Sequence, residues 1–160
     1  MKEITLDLIN QLSLDAINST RRRLNYNFHT KDNDPIQRML NAFEPLTYIR
    51  PHRHFELHKR EVFIILRGRL LVIYFDDNGK MTKTTELSHI SNNLAVEIEP
   101  HEWHTVISLE SGTVVYEIKD GPYDVISDKQ FALWAPDEND PNSANYVSEL
   151  LKIINHQSNN

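Results

Sequence analysis

Hydrophobic positions along the chain follow two periods. Near the N-terminus, Leu6, Ile9, Leu12 and Ala16 or Ile17 recur at helical spacing, which predicts a short amphipathic helix over 6–17. From Arg23 to His29 the period drops to two: Leu24, Tyr26 and Phe28 alternate with Asn25, Asn27 and His29, as in a half-buried strand. Asp32-Asn33-Asp34-Pro35 reads as a turn, and Arg38–Phe43 as a second strand ended by Glu44-Pro45. Strand signals then crowd together at 61–66, 69–75, 81–87, 94–98, 104–109 and 113–119. Turns at Arg67-Gly68, Asp76–Gly79 and Glu110–Gly112 separate several of them. Beyond Gly121-Pro122 the pattern is irregular through Trp134-Ala135-Pro136. Ala144–Ile154 then predicts a closing helix with Tyr146, Leu150 and Ile153 on one face.

Short strands with turns every eight to twelve residues or so indicate a β-sandwich or barrel. The length of 160 residues suits one domain: a helix over 1–20, a barrel over 21–125, and an irregular segment with a helix over 126–160. The runs Val62–Leu66 and Leu70–Phe75 are apolar on both faces. One face would line the barrel; the other needs a terminal segment or a second subunit, and a homodimer is expected.

The formal charge of -6 argues against nucleic acid as a partner, and Arg21-Arg22-Arg23 is the only basic cluster. There is no cysteine, which excludes disulfides, thiolate nucleophiles and Cys-based zinc sites, and is compatible with a cytoplasmic location. The N-terminus lacks the apolar core of a signal peptide, and no run is long enough for a membrane span, so no membrane insertion is expected. No Gly-x-Ser-x-Gly elbow exists, and nothing singles out a pair of glycosidase carboxylates.

The candidate chemistry centres on Pro51-His52-Arg53-His54. On an extended chain His52 and His54 point to the same side and can share one ion. The bland alternative is an exposed strand edge. Glu61 then opens the next strand with a carboxylate, Gly68 sits at the following hairpin, and His104 begins a distant strand after Glu99-Pro100-His101. Three imidazoles and a carboxylate accept one divalent ion such as Zn, Fe, Mn, Ni or Co.

These residues resemble the motifs of the cupin superfamily. Its first motif, His-x-His, then Glu, then Gly about seven residues later, is matched by His52, His54, Glu61 and Gly68, with a longer His-to-Glu spacing than usual. Its second, Pro-x-Gly-x-x-His, keeps only His104; Glu99 and His101 replace Pro and Gly. That glycine is favoured where the turn needs positive φ, so His101 either distorts the loop or faces the metal site. Further segments resemble the WbuC-type cupin-fold metalloproteins of bacterial O-antigen gene clusters. They include Arg21–Asn27, Arg50–His54, Leu66–Arg69, Trp103–Thr105, Tyr116–Tyr123 and Trp134–Pro136. The resemblance implies an all-β cupin barrel (a double-stranded β-helix, or jelly roll) with short N- and C-terminal helices, a metal and a polysaccharide theme, but no reaction.

Glu97 and Glu117 each interrupt an apolar strand, and either line the barrel as acid–base groups or face solvent. Asn25 and Asn41 carry the same two readings. Arg23, Arg50 and Arg69 can offer a fork to an anion or pair with nearby carboxylates. His58 is an alternative ligand if its loop is helical. His29, His89 and His156 read as surface residues, and Trp103 and Trp134 as packing groups. His101 and Glu117 are taken as the catalytic candidates, and Arg23, Asn25, Asn41 and Arg50 as contacts for a small sugar-like or anionic ligand. The expected function is a metal-dependent isomerase or epimerase on such a metabolite. A non-catalytic sugar- or anion-binding module with a structural metal, and an Fe(II) dioxygenase, remain as alternatives.

Overall fold

The computed structural model describes residues 1–56, 59–124 and 128–158. Helix α1 (Leu6–Asn18) is followed by strands β1 (Arg23–Asn27), β2 (Ile36–Phe43), β3 (His52–Arg53), β4 (Glu61–Arg67), β5 (Arg69–Phe75) and β6 (Met81–Ser88). Strands β7 (Ala95–Ile98), β8 (Trp103–Ser108), β9 (Thr113–Asp120) and β10 (Gln130–Phe131) precede helix α2 (Ser143–Ser158). The strands form two five-stranded antiparallel sheets, β1-β2-β9-β4-β7 and β10-β3-β8-β5-β6.

Strand parity explains the doubly apolar run Leu70–Phe75. Leu70, Val72 and Tyr74 point between the sheets and pack with Phe63, Val106 and Val115. Leu71, Ile73 and Phe75 point outward and are covered by Trp103, Ala132, Val147 and Leu150. Of the two covers expected for that face, the structure holds the terminal segment; β5 leaves no bare face for a second subunit to bury. On the opposite sheet α1 lays Ile9, Leu12 and Ala16 over Leu40, Ala42 and Val114.

Thr5 caps α1 through its Oγ1, which accepts from Leu8 N at 3.2 Å. The inner face of α1 is Ile9, Leu12, Ser13 and Ala16, whereas Leu6 and Ile17 are exposed. Ser13 is tolerated inside because its Oγ donates to Ile9 O. In α2 the phase also shifts: Val147 and Leu150 are buried and Ile154 packs beside them, while Ile153 is exposed. β1 is not half-buried. As a sheet edge it leaves Leu24 and Tyr26 exposed, and only Phe28 beyond it is buried. The barrel also extends past residue 125, because Gln130 and Phe131 pair with Arg53 and His52.

Gly68 joins β4 to β5 with φ of 77°. A Cβ there would stand 2.8 Å from Thr113 Cα, so the β4–β5 corner needs glycine for both conformation and space. Among the described residues no helix is long and apolar enough to cross a membrane.

Candidate metal centre

His52 lies in β3 directly opposite His104 of β8, with ring centroids 4.5 Å apart. His54 follows β3, and Glu61 opens β4 on the other sheet. The four side chains meet between the sheets and are buried, each 3% exposed or less. One ligand atom from each lies within 4.8 Å of every other. His58 lies outside the described residues.

Main-chain carbonyls fix the imidazoles. Nδ1 of His52 contacts Arg50 O at 3.0 Å, Nδ1 of His54 contacts Asp128 O, and Nδ1 of His104 contacts Glu102 O at 2.9 Å. A carbonyl only accepts, so each Nδ1 carries the proton and each neutral ring presents a bare Nε2. Nε2 of His52 and of His54 are buried without a hydrogen-bond partner. Nε2 of His104 and of His54 face Glu61 Oε2 at 3.0 and 3.6 Å. Four acceptors thus converge with no donor among them. Such a cluster needs a cation: either one ring becomes imidazolium, or a metal ion meets all four donors at once. The donor set fits a divalent transition ion.

Burial, with the charge of Lys129 next, holds the His52 imidazole well below its usual pKa, which disfavours a proton on that ring. Burial pushes Glu61 up, but a proton placed on the facing His104 or His54 ring outweighs it and holds the carboxyl low. Glu117 is also buried and lines the same cavity, with Asn41 Nδ2 donating to its Oε2. Burial and then the nearby Glu61 charge push Glu117 up to about 8. Glu97, by contrast, is exposed on β7.

Three of the four metal-competent residues, His52, Glu61 and His104, form the floor of a cavity of about 360 Å³. Its wall includes Glu117, Asn41, Phe63, Val106, Lys129 and Phe131; Arg21, Arg23, Asn25, Arg50 and Glu138 also line it. Arg23 donates to Tyr48 O at 2.8 Å and to Glu138 Oε1 at 2.6 Å. Arg50 donates to Ala132 O and pairs with Asp137. Both arginines are therefore held in place by the chain. Asn25 donates to Asn27 Oδ1 and is exposed. Arg69 pairs with Glu86, away from the cavity.

His101 is not part of this wall. It adopts φ of 69°, keeping the left-handed turn that glycine would favour, and its N–H donates to His54 O at 2.8 Å. Its ring packs edge-on against exposed Phe55 at 5.0 Å. Its main chain therefore braces His54, and its ring lies outside the cavity lining.

The stretch 128–132 supplies what periodicity missed. Asp128 O fixes His54, Lys129 enters the cavity, Phe131 stands 6.1 Å from His52, and Ala132 N donates to Pro51 O. Behind it Asp128 bridges two buried lysines, Lys59 at 3.0 Å and Lys119 at 2.6 Å. Burial pushes Asp128 up, but the lysines outweigh that and hold it low. Lys119 could have been found, because it continues the inner face Val115-Glu117-Lys119 of β9.

Residues 4–87 match the model of a family described as a domain of unknown function, DUF6016. No curated protein matches the sequence. Among similar solved structures, a protein from Klebsiella pneumoniae with a double-stranded β-helix domain gives a TM-score of 0.56 at 10% identity, covering 82% of this chain and 98% of that one. L-ribose isomerase from Cellulomonas parahominis gives 0.53 at 12% identity, covering 69% of each chain. CapF of Staphylococcus aureus, a capsular polysaccharide assembling protein, gives 0.52 at 19% identity, covering 67% of this chain and 29% of that one. At these identities the likeness is one of fold: a cupin-type double-stranded β-helix with short helices at both ends.

Proposed function

The chain belongs to the DUF6016 family, and from its four converging acceptors we propose that it is a divalent-metal protein acting on a small sugar-like metabolite. The observation that carries this reading is the set of bare Nε2 atoms turned on Glu61 at the floor of an accessible cavity. His52, His54 and His104 would hold the ion through Nε2, and Glu61 through a carboxylate oxygen. A bound divalent ion supplies Lewis acidity toward carbonyl and hydroxyl oxygens.

The chain's own groups do the rest. Glu117 stands in the wall of the same cavity, tied to Asn41, and is the group that moves a proton. Phe63, Val106 and Phe131 keep water from that wall. Arg23 and Arg50, locked by their own carboxylates and carbonyls, shape the mouth. Isomerisation or epimerisation is the reaction class that such a proton carrier beside a Lewis-acid site supports best. The L-ribose isomerase and the capsular polysaccharide assembling protein CapF support the ligand class, and the WbuC-like segments support a place in surface-polysaccharide synthesis.

Elemental analysis tests the reading, on protein purified without a nickel column, wild type beside His52→Ala and His104→Ala. About one divalent ion per chain in wild type, lost from both variants, is expected for a site of this donor set. Folded wild type that binds no divalent ion when ions are supplied would overturn it.

A further inference from the structure

Charge at the cavity is not balanced. Arg21 and Arg23 share Glu138, and Arg50 holds Asp137. Lys129 also lines the cavity; among the described residues no carboxylate closes an ion pair on it, and its charge reaches Glu117 and His52 across the cavity. Its position is enforced from both sides. Asp128 before it is clamped between Lys59 and Lys119, and Gln130 after it pairs with Arg53 in the β3–β10 ladder. The main chain at Lys129 is thus held in the strap that also fixes His54 through Asp128 O.

The Lys129 ammonium adds positive charge to a cavity also lined by Arg21, Arg23 and Arg50, and a divalent ion below would add to the same sign of charge. Glu61, the carboxylate on the floor, already faces His104 and His54. Glu117 in the wall feels the Lys129 charge but is held by Asn41, so a ligand that brings negative charge of its own would give Lys129 the close ion pair that the chain does not.

We propose that the cavity takes an anionic metabolite, a sugar-like molecule bearing a carboxylate or phosphate, and that Lys129 pairs with that group and makes the site selective for it. This rests on the reading of the cavity as a small-molecule site over a metal floor. Lys129 is a specificity residue here, since it faces the ligand's charged end and not the ion.

Calorimetric titration with three probes of similar size tests it: D-glycerate for a carboxylate, glycerol 3-phosphate for a phosphate, and glycerol as the neutral reference. Each is added to wild type, Lys129→Met, Lys129→Gln and Lys129→Arg, with metal content measured on every sample. The stronger anionic probe is expected to bind at least about tenfold more weakly to the Met and Gln variants, and to recover in the Arg variant to within about threefold of wild type. Glycerol is expected to behave alike in all four. Equal binding of that anion to wild type and to either neutral variant, or anions that bind wild type no better than glycerol, would overturn the proposal. Lys129-dependent anion binding in metal-free protein would leave this proposal standing and remove the metal reading. Metal-loaded protein with Lys129-independent binding would do the reverse.

Discussion

Nε2 of His104 lies 3.0 Å from Oε2 of Glu61, and with Nδ1 of His104 committed to the Glu102 carbonyl both atoms are acceptors. The contact is favourable only with a cation between or beside them. Glu61→Gln separates the two needs, because its amide can donate to a bare Nε2 while binding a metal poorly. Metal affinity is expected to fall by more than the about 10–100-fold typical of losing a supporting partner. Chelator-treated protein is expected to melt no lower than wild type. Competition with a coloured chelator and thermal melts check the two halves.

Asp128 sits between two lysines that have left water. Removing its charge with Asp128→Asn takes the ion-pair partner from both, leaving Lys59 the Pro122 carbonyl and Lys119 the field of Glu61 and Glu117, and is expected to cost about 3 kcal/mol in urea unfolding. The same variant loosens the strap whose main-chain oxygen orients His54, so metal affinity is expected to drop as well.

Gly68→Ala is expected to destabilise by about 2 kcal/mol or more, through an unfavourable φ and the approach to Thr113. Denaturant midpoints measure it.

Glu138 gives a pH dependence. Burial raises its carboxyl, but the charges and hydrogen bonds of Arg23 and Arg21 outweigh that and hold it below the ordinary value of 4.5. Its stabilisation is therefore present above the unfolded value and lost as pH falls through the lower folded value. The side chain is 39% exposed, so the effect is at most about 1 kcal/mol. Wild type is expected to melt above Glu138→Gln near neutral pH, with the gap closing in acid below the unfolded value.

The metal-competent quartet was legible in the sequence because it lies on or beside strands, where alternation says which side chains share a face. Glu117 and Glu97 show the limit of that rule. Each interrupts an apolar strand, yet Glu117 lies opposite Phe63 on a central strand and is buried, whereas Glu97 is on edge strand β7 and exposed. Which strand is central is a long-range fact. His101 carried a readable signal, the missing glycine, but the signal concerned its backbone and the ring went elsewhere. Phe131 sits on a two-residue strand and Lys129 just before it, a stretch too short to have a period at all.

Because among the described residues β10 pairs with β3 alone, one wall of the cavity is hung on a ladder two residues long, while Glu61 and His104 of the floor are anchored in the longer strands β4 and β8. Side-chain substitutions such as those at Lys129 and Glu138 can therefore re-tailor what the cavity admits, provided the strap's main-chain contacts to His52 and His54 are kept. The chain divides selectivity from chemistry along its length, and the two are free to diverge at different rates.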